Sequence, residues 1–143
     1  MRINERGLDI IRKTEGLRLK AYLCPAGIPT IGYGHTSGVK LGQTCTRAQA
    51  EAWLIEDSSL AGKCVERSCK APLSENQFSA LVSFVFNLGC GAFSKSTLLK
   101  KLNARDYEGA ASEFPRWNKD DKGKPLKGLT SRRAMEKALF VTV

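Results

Sequence analysis

Apolar positions divide the chain into a short mixed start and a long helical remainder. Ile3, Leu8 and Ile11 fall at helical spacing, with Glu5, Arg12 and Lys13 elsewhere, which predicts an amphipathic helix over residues 3–13. Asn4 suits its N-cap and Gly16 its stop, leaving Glu15 on the last turn. The period then changes to two. Leu17, Leu19 and Ala21 alternate with Arg18, Lys20 and Tyr22, Pro25-Ala26-Gly27 makes a turn, and Thr30 to Gly34 returns as a strand. Residues 17–42 are therefore expected to form a small antiparallel sheet.

From Thr46 onward the pattern is helical. Thr46 with Gln49 and Ser74 with Gln77 are two capping boxes. The first opens a helix carried by Ala50, Trp53, Leu54 and Leu60. The second opens the strongest apolar helix, with Phe78, Leu81, Val82, Val85 and Phe86, closed by Leu88-Gly89. Shorter helices are expected at 95–103, 106–114 and 130–140, with residues 118–128 an exposed loop. The fold class is α+β. One domain spans residues 1–143: a small N-terminal lobe (about 1–45) with a short antiparallel sheet, a linking helix (about 46–60) and a helical C-terminal lobe (about 73–143). At 143 residues such a domain is large enough for a real core.

Charge narrows the partners. The formal net charge is +9, which favours an anionic partner such as nucleic acid, an acidic membrane surface or an acidic wall polymer. The excess is uneven: residues 1–40 hold seven Lys/Arg against three acids, residues 41–75 four against five, and residues 76–143 twelve against six. The start lacks an apolar signal region, and no run reaches the ~18 apolar residues of a membrane span. Synthesis and folding in a cytoplasm are expected, with no stable membrane insertion. The cysteines at 24, 45, 64, 69 and 90 are odd in number. In a reducing compartment most are expected as buried, inert thiols, although Cys64 and Cys69 are close enough in sequence to bridge. Their spacing is not a zinc pattern, so no metal and no cofactor are expected.

The candidate chemistry lies in one segment, where Glu15, Cys24, Thr30 and the only histidine, His35, cluster. A carboxylic acid near a second proton-accepting or nucleophilic group is the minimum kit for cleaving a glycosidic bond. With Leu17 and the hairpin around it, Glu15 is expected to be partly desolvated, which keeps a proton on a carboxylic acid. Taken singly, Glu15 reads equally as a surface glutamate, Cys24 as a small buried hydrophobe and His35 as a structural histidine paired with Asp57. No phosphate loop or dinucleotide fingerprint occurs.

Taken together, the residues resemble a known family. Glu15-Gly16-Leu17-Arg18-Leu19-Lys20-Ala21-Tyr22 followed by Thr30-Ile31-Gly32-Tyr33-Gly34-His35 is similar to the phage-type lysozymes, the endolysins of glycoside hydrolase family 24. That pattern is a glutamate, eight residues, an aspartate or less often a cysteine, five residues, then a threonine, here Glu15, Cys24 and Thr30. The resemblance continues through Phe84-Val85-Phe86-Asn87-Leu88-Gly89, Ser96-Thr97-Leu98-Leu99, Trp117 and Gly128-Leu129-Thr130-Ser131-Arg132-Arg133. It implies a lysozyme-like fold and hydrolysis of the β-1,4 bond between N-acetylmuramic acid and N-acetylglucosamine in peptidoglycan. Glu15 would be the general acid, Thr30 would hold water or line the sugar, and Cys24 would stand in the aspartate's place. Phe86 and Ser96 match groove positions, Arg133 matches an arginine that pairs with the catalytic glutamate, and His35 with Asp57 matches a structural ion pair. The resemblance also implies a monomer held in the host cytoplasm until a holin releases it to the wall.

A thiol with an ordinary pKa near 8.5 is mostly neutral at pH 7. Three roles stand open for Cys24: base for water, nucleophile, or near-spectator. Arg18 and Lys20 are expected to help ionise it, and an inverting reaction in which Cys24 orients or activates water is the working expectation. Three alternatives remain: a lytic transglycosylase using one glutamate, a non-catalytic module binding polyanions, and a membrane-disrupting helix over Arg132–Val143. No helix-turn-helix, zinc finger or basic-aromatic interleaving points to nucleic acid.

Overall fold

A computed structural model describes residues 1–143. Helix α1 spans Glu5–Glu15. The Asn4 side chain accepts from the Gly7 N–H at 3.0 Å, and Gly16 stops the helix at φ 73°. Strands β1 (Arg18–Leu23) and β2 (Pro29–Gly32) pair antiparallel, Tyr22 opposite Thr30 and Leu23 opposite Pro29. The expected strand through Gly34 ends at Gly32. Beyond it the chain folds back so that Ile31 and His35 exchange both backbone hydrogen bonds, at 2.9 and 2.8 Å.

Both capping boxes form. They open α2 (Arg47–Ser68) and α3 (Glu75–Leu88). Helix α2 runs beyond the expected end near residue 60, because Ala61, Cys64 and Val65 are buried and keep its inner face apolar. Helices α4 (Cys90–Ser94), α5 (Thr97–Asn103) and α6 (Tyr107–Glu113) follow, then a 3-10 turn at Phe114–Arg116 and α7 (Lys127–Phe140). Helix α4 was not foreseen, and α7 begins three residues earlier than the expected 130. Residues 118–126 form a tight exposed turn in which Lys119 bridges Pro125.

The larger core surrounds α3, whose Phe78, Leu81, Val82 and Phe84 are almost fully buried. Burial of each such side chain contributes roughly 1.5–3 kcal/mol. Phe84 meets Phe93, Phe114 and Trp117 edge-on. A second cluster joins Leu8 and Ile11 of α1 to Tyr33, Ala50 and Leu54. Helix α1 therefore belongs to both lobes: Ile10 enters the larger core while Leu8 and Ile11 enter the smaller. Arg12 reinforces this on the surface by gripping Glu51 of α2 at 2.9 Å, which holds the Glu51 carboxyl below its ordinary range. The end of α1, where Glu15 sits, is thus fixed relative to the hairpin and the helical lobe alike.

The cysteine expectation needs correction. Cys64 and Cys90 form a disulfide tying α2 to α4, and Cys24, Cys45 and Cys69 are free. Cys69 lies at the end of α2, outside that bridge, and burial pushes its thiol up.

Candidate active site

Glu15 ends α1 with its side chain 23% exposed and meets a cation rather than the apolar surroundings expected. Arg132 of α7 donates from Nη1 to Glu15 Oε2 at 2.9 Å. The arginine expected on Glu15 was Arg133, and that is corrected here. Adjacent helical residues point about 100° apart, and the phase of α7 aims Arg132 at Glu15. Arg133 is fully buried. It faces Glu136 at 2.7 Å, donates to Asn87 Oδ1 at 2.9 Å and stacks its guanidinium over Phe84. It has no surface to offer a sugar.

Behind Glu15 lies a buried charged network. Arg132 Nε donates to Glu136 Oε2 at 3.2 Å, and its Nη2 donates to the Ser83 carbonyl at 3.0 Å. The Ser83 hydroxyl donates to Glu136 Oε2 at 2.6 Å. Burial pushes the Glu136 carboxyl up, and Arg133, Arg132 and Ser83 oppose it. Three donors, from Ser83, Arg132 and Arg133, converge on Glu136 Oε2. Burial likewise lowers the Arg133 guanidinium against the pull of Glu136. A lone charge in this position would be costly, and the network compensates each one.

The other side of Glu15 is backbone. Gly34 has φ +80°, and a Cβ there would lie 2.9 Å from Glu15 Oε1. Only glycine accepts both that conformation and that approach. The turn holding Gly34 is anchored one residue later. His35 Nδ1 lies 2.8 Å from Asp57 Oδ2 of α2, and its ring stacks on Trp53 with centroids 4.5 Å apart. The expected His35–Asp57 pair forms, and it ties the turn that carries Gly34 to α2.

Cys24 and Thr30 face each other across the hairpin's closing turn. Cys24 N–H donates to the Ile28 carbonyl at 3.0 Å, and Gly27 N–H donates to the Cys24 carbonyl at 2.8 Å. The Cys24 thiol is half-buried and its pKa is lowered, chiefly by the backbone N–H of Ile28, with help from Ala26 and the Thr30 hydroxyl. Arg18 and Lys20, expected to ionise it, are not the cause; amides are. Thr30 is buried, and its hydroxyl also donates to the Ile28 carbonyl at 2.8 Å. Its single proton is therefore claimed from two sides.

A groove of about 390 Å³ runs beside this centre, lined by Gly34, Thr36, Ser37, Asp57 and Phe86 among others. Phe86 is half-buried and packs against both cores. Ser96, expected in the groove, is not there: it is 3% exposed, and its hydroxyl caps α5 at Leu99 N–H and donates to the Phe93 carbonyl. A larger cavity of about 630 Å³, between the N-terminus and Phe78, lies away from Glu15, Cys24 and Thr30. Sequence pattern assigned no site role to Arg132, Gly34, Ser83, Asn87 or Glu136, although Arg132, Gly34 and Asn87 lie within the blocks that carry the resemblance.

The chain is similar to known proteins over nearly its whole length. The phage lysozyme family profile matches residues 12–136. An endolysin of Acyrthosiphon pisum secondary endosymbiont phage 1 is 51% identical, over 98% of this chain and 98% of its own. The endolysin of Salmonella phage P22 is 39% identical over 99% of each chain. Among solved structures, the muramidase domain of SpmX from Asticaccaulis excentricus superposes with TM-score 0.93 at 38% identity, covering 99% of both chains.

Proposed function

The chain belongs to the phage lysozyme family, and from that premise we propose how its cleft cuts bacterial peptidoglycan. The activity is that of a peptidoglycan-hydrolysing endolysin, and the bond attacked is the β-1,4 link between N-acetylmuramic acid and N-acetylglucosamine. The observation that carries the reading is one carboxyl, Glu15, held by Arg132 at 2.9 Å against a backbone left bare at Gly34. Glu15 gives its proton to the departing sugar oxygen. Arg132 then pairs with the carboxylate left behind, across the 2.9 Å contact it makes with Glu15 Oε2. Cys24, its thiol lowered by amides, and Thr30 orient and deprotonate a water on the opposite face of the ring. Phe86 and the groove beside Gly34 hold the glycan.

Water attacking opposite the leaving group inverts the anomeric centre. NMR of the first product formed from a soluble peptidoglycan fragment is expected to show the α-anomer of the muramic acid residue. An initial β-anomer would overturn the water-activating role of Cys24. The lobes at about residues 1–45 and 73–143, joined through α2, act as one lysozyme-like domain and as a monomer. Holin-dependent passage from the host cytoplasm to the wall is what the family resemblance implies; no helix is long and apolar enough to cross a membrane.

A further inference from the structure

The tip of the β1–β2 hairpin carries a feature that catalysis does not use. Between Glu15 and Glu51 the chain has no acidic residue, while Arg18, Lys20, Lys40 and Arg47 are all exposed. In the same stretch Leu19, Leu23, Ile28 and Leu41 are exposed by 48%, 53%, 47% and 58%. Two of the four meet by register. Leu23 pairs with Pro29, and Cys24 N–H bonds the Ile28 carbonyl, so Leu23 and Ile28 share the tip. Lys20 bridges Thr44 antiparallel, Ala21 N–H donates to the Gln43 carbonyl, and the turn closed by Gln43 N–H on the Lys40 carbonyl sets Lys40 and Leu41 alongside β1. Apart from Ala21, β1 is exposed or half-exposed on both faces, as in a hairpin that projects.

Other exposed apolar residues, such as Ile55 and Leu60, lie on α2 with Glu56 and Asp57. In the other lysine-rich segment, Lys119, Lys122, Lys124 and Lys127 are interleaved with Asp120 and Asp121 and accompanied by one exposed large apolar residue, Leu126. A wall polymer would reward the cations and leave the aliphatic side chains in water. The exposed set holds no aromatic platform for bases or sugars, since Tyr22 is half-buried beneath the Arg18 guanidinium. A projecting hairpin with exposed aliphatic side chains, cations along its length and no acid suits the boundary between anionic headgroups and acyl chains.

We propose that the hairpin tip is a peripheral docking surface for an anionic phospholipid bilayer, holding the enzyme at the leaflet that faces the wall. Docking is independent of cleavage, so Glu15→Gln should bind vesicles as the wild type does. The test is co-sedimentation with phosphatidylglycerol/phosphatidylethanolamine vesicles against phosphatidylcholine vesicles. Binding is expected to the anionic vesicles, at least about tenfold weaker to the neutral ones, and to fall about fivefold or more in Lys20→Glu, which loses one cation and gains one anion. The double variant Leu23→Ser/Ile28→Ser should also weaken it, whereas Lys122→Glu/Lys124→Glu should retain most of it. Equal binding to both vesicle types, unchanged binding in Lys20→Glu and the double serine variant, or tip-mediated dimers in sedimentation would overturn the proposal.

Discussion

Gly34 shows how a residue without a side chain controls one that has it. Its φ of +80° and the 2.9 Å from its would-be Cβ to Glu15 Oε1 leave no room for a methyl group. Gly34→Ala should push the carboxyl off Arg132 and lower kcat by about a hundredfold, the scale of an ångström-sized misplacement. Steady-state kinetics on solubilised peptidoglycan would check this, and an unchanged kcat would remove Gly34 from the site. Cys24 makes a second residue-scale prediction. If its thiolate is the base, the rate should rise with pH through a pKa below that of an ordinary thiol, because amides of Ile28 and Ala26 and the Thr30 hydroxyl stabilise the anion. In Cys24→Asp that rising limb should move down into the carboxylate range. A rising limb unmoved by the substitution would assign it to another group. The arginine beside Glu15 was only half legible at this scale. The resemblance pointed to Arg133 of the Arg132-Arg133 pair, but the choice between them depends on the rotational phase of α7, set by packing against α3 rather than by either residue. Ser96 was misread for a different reason. A serine ahead of Thr97-Leu98-Leu99 is an N-cap signal, and that local use of its hydroxyl prevailed.

The elements were largely legible where side chains signal their own boundaries. Asn4, Thr46 and Ser74 cap the helices they predicted, and Gly16 and Gly89 end two of them. What could not be read depends on elements meeting. The Cys64–Cys90 bridge joins residues 26 apart and exists because α4 lies against α2. The Ser83–Arg132–Glu136–Arg133–Asn87 network likewise requires α3 and α7 to pack face to face. That network supports the site: it anchors the arginine whose far end holds Glu15. Glu136→Gln removes the charge that compensates two buried guanidiniums at little change in volume. It should cost about 3 kcal/mol or more in stability, read as a lowered denaturant midpoint. A loss below about 1 kcal/mol, within the range of exposed pairs, would mean that the network contributes little.

At the scale of the whole molecule, α1 and α2 join the two cores, and the reacting groups come from both sides of that junction. Glu15 lies where α1 leaves the shared packing, Arg132 comes from the helical lobe, and Cys24 with Thr30 comes from the hairpin held by His35 and Asp57. The division into a hairpin lobe and a helical lobe was readable from the change of period near Leu17 and again at Thr46, because each period requires a different partner surface. That the two lobes converge on Glu15 was readable only through the resemblance. The most direct test of the account is mass spectrometry of fragments released from purified peptidoglycan by the wild type and by Glu15→Gln. The account predicts fragments ending in reducing N-acetylmuramic acid, released by the variant at least about a hundredfold more slowly. Anhydromuramic ends, or release by Glu15→Gln at the wild-type rate, would contradict it.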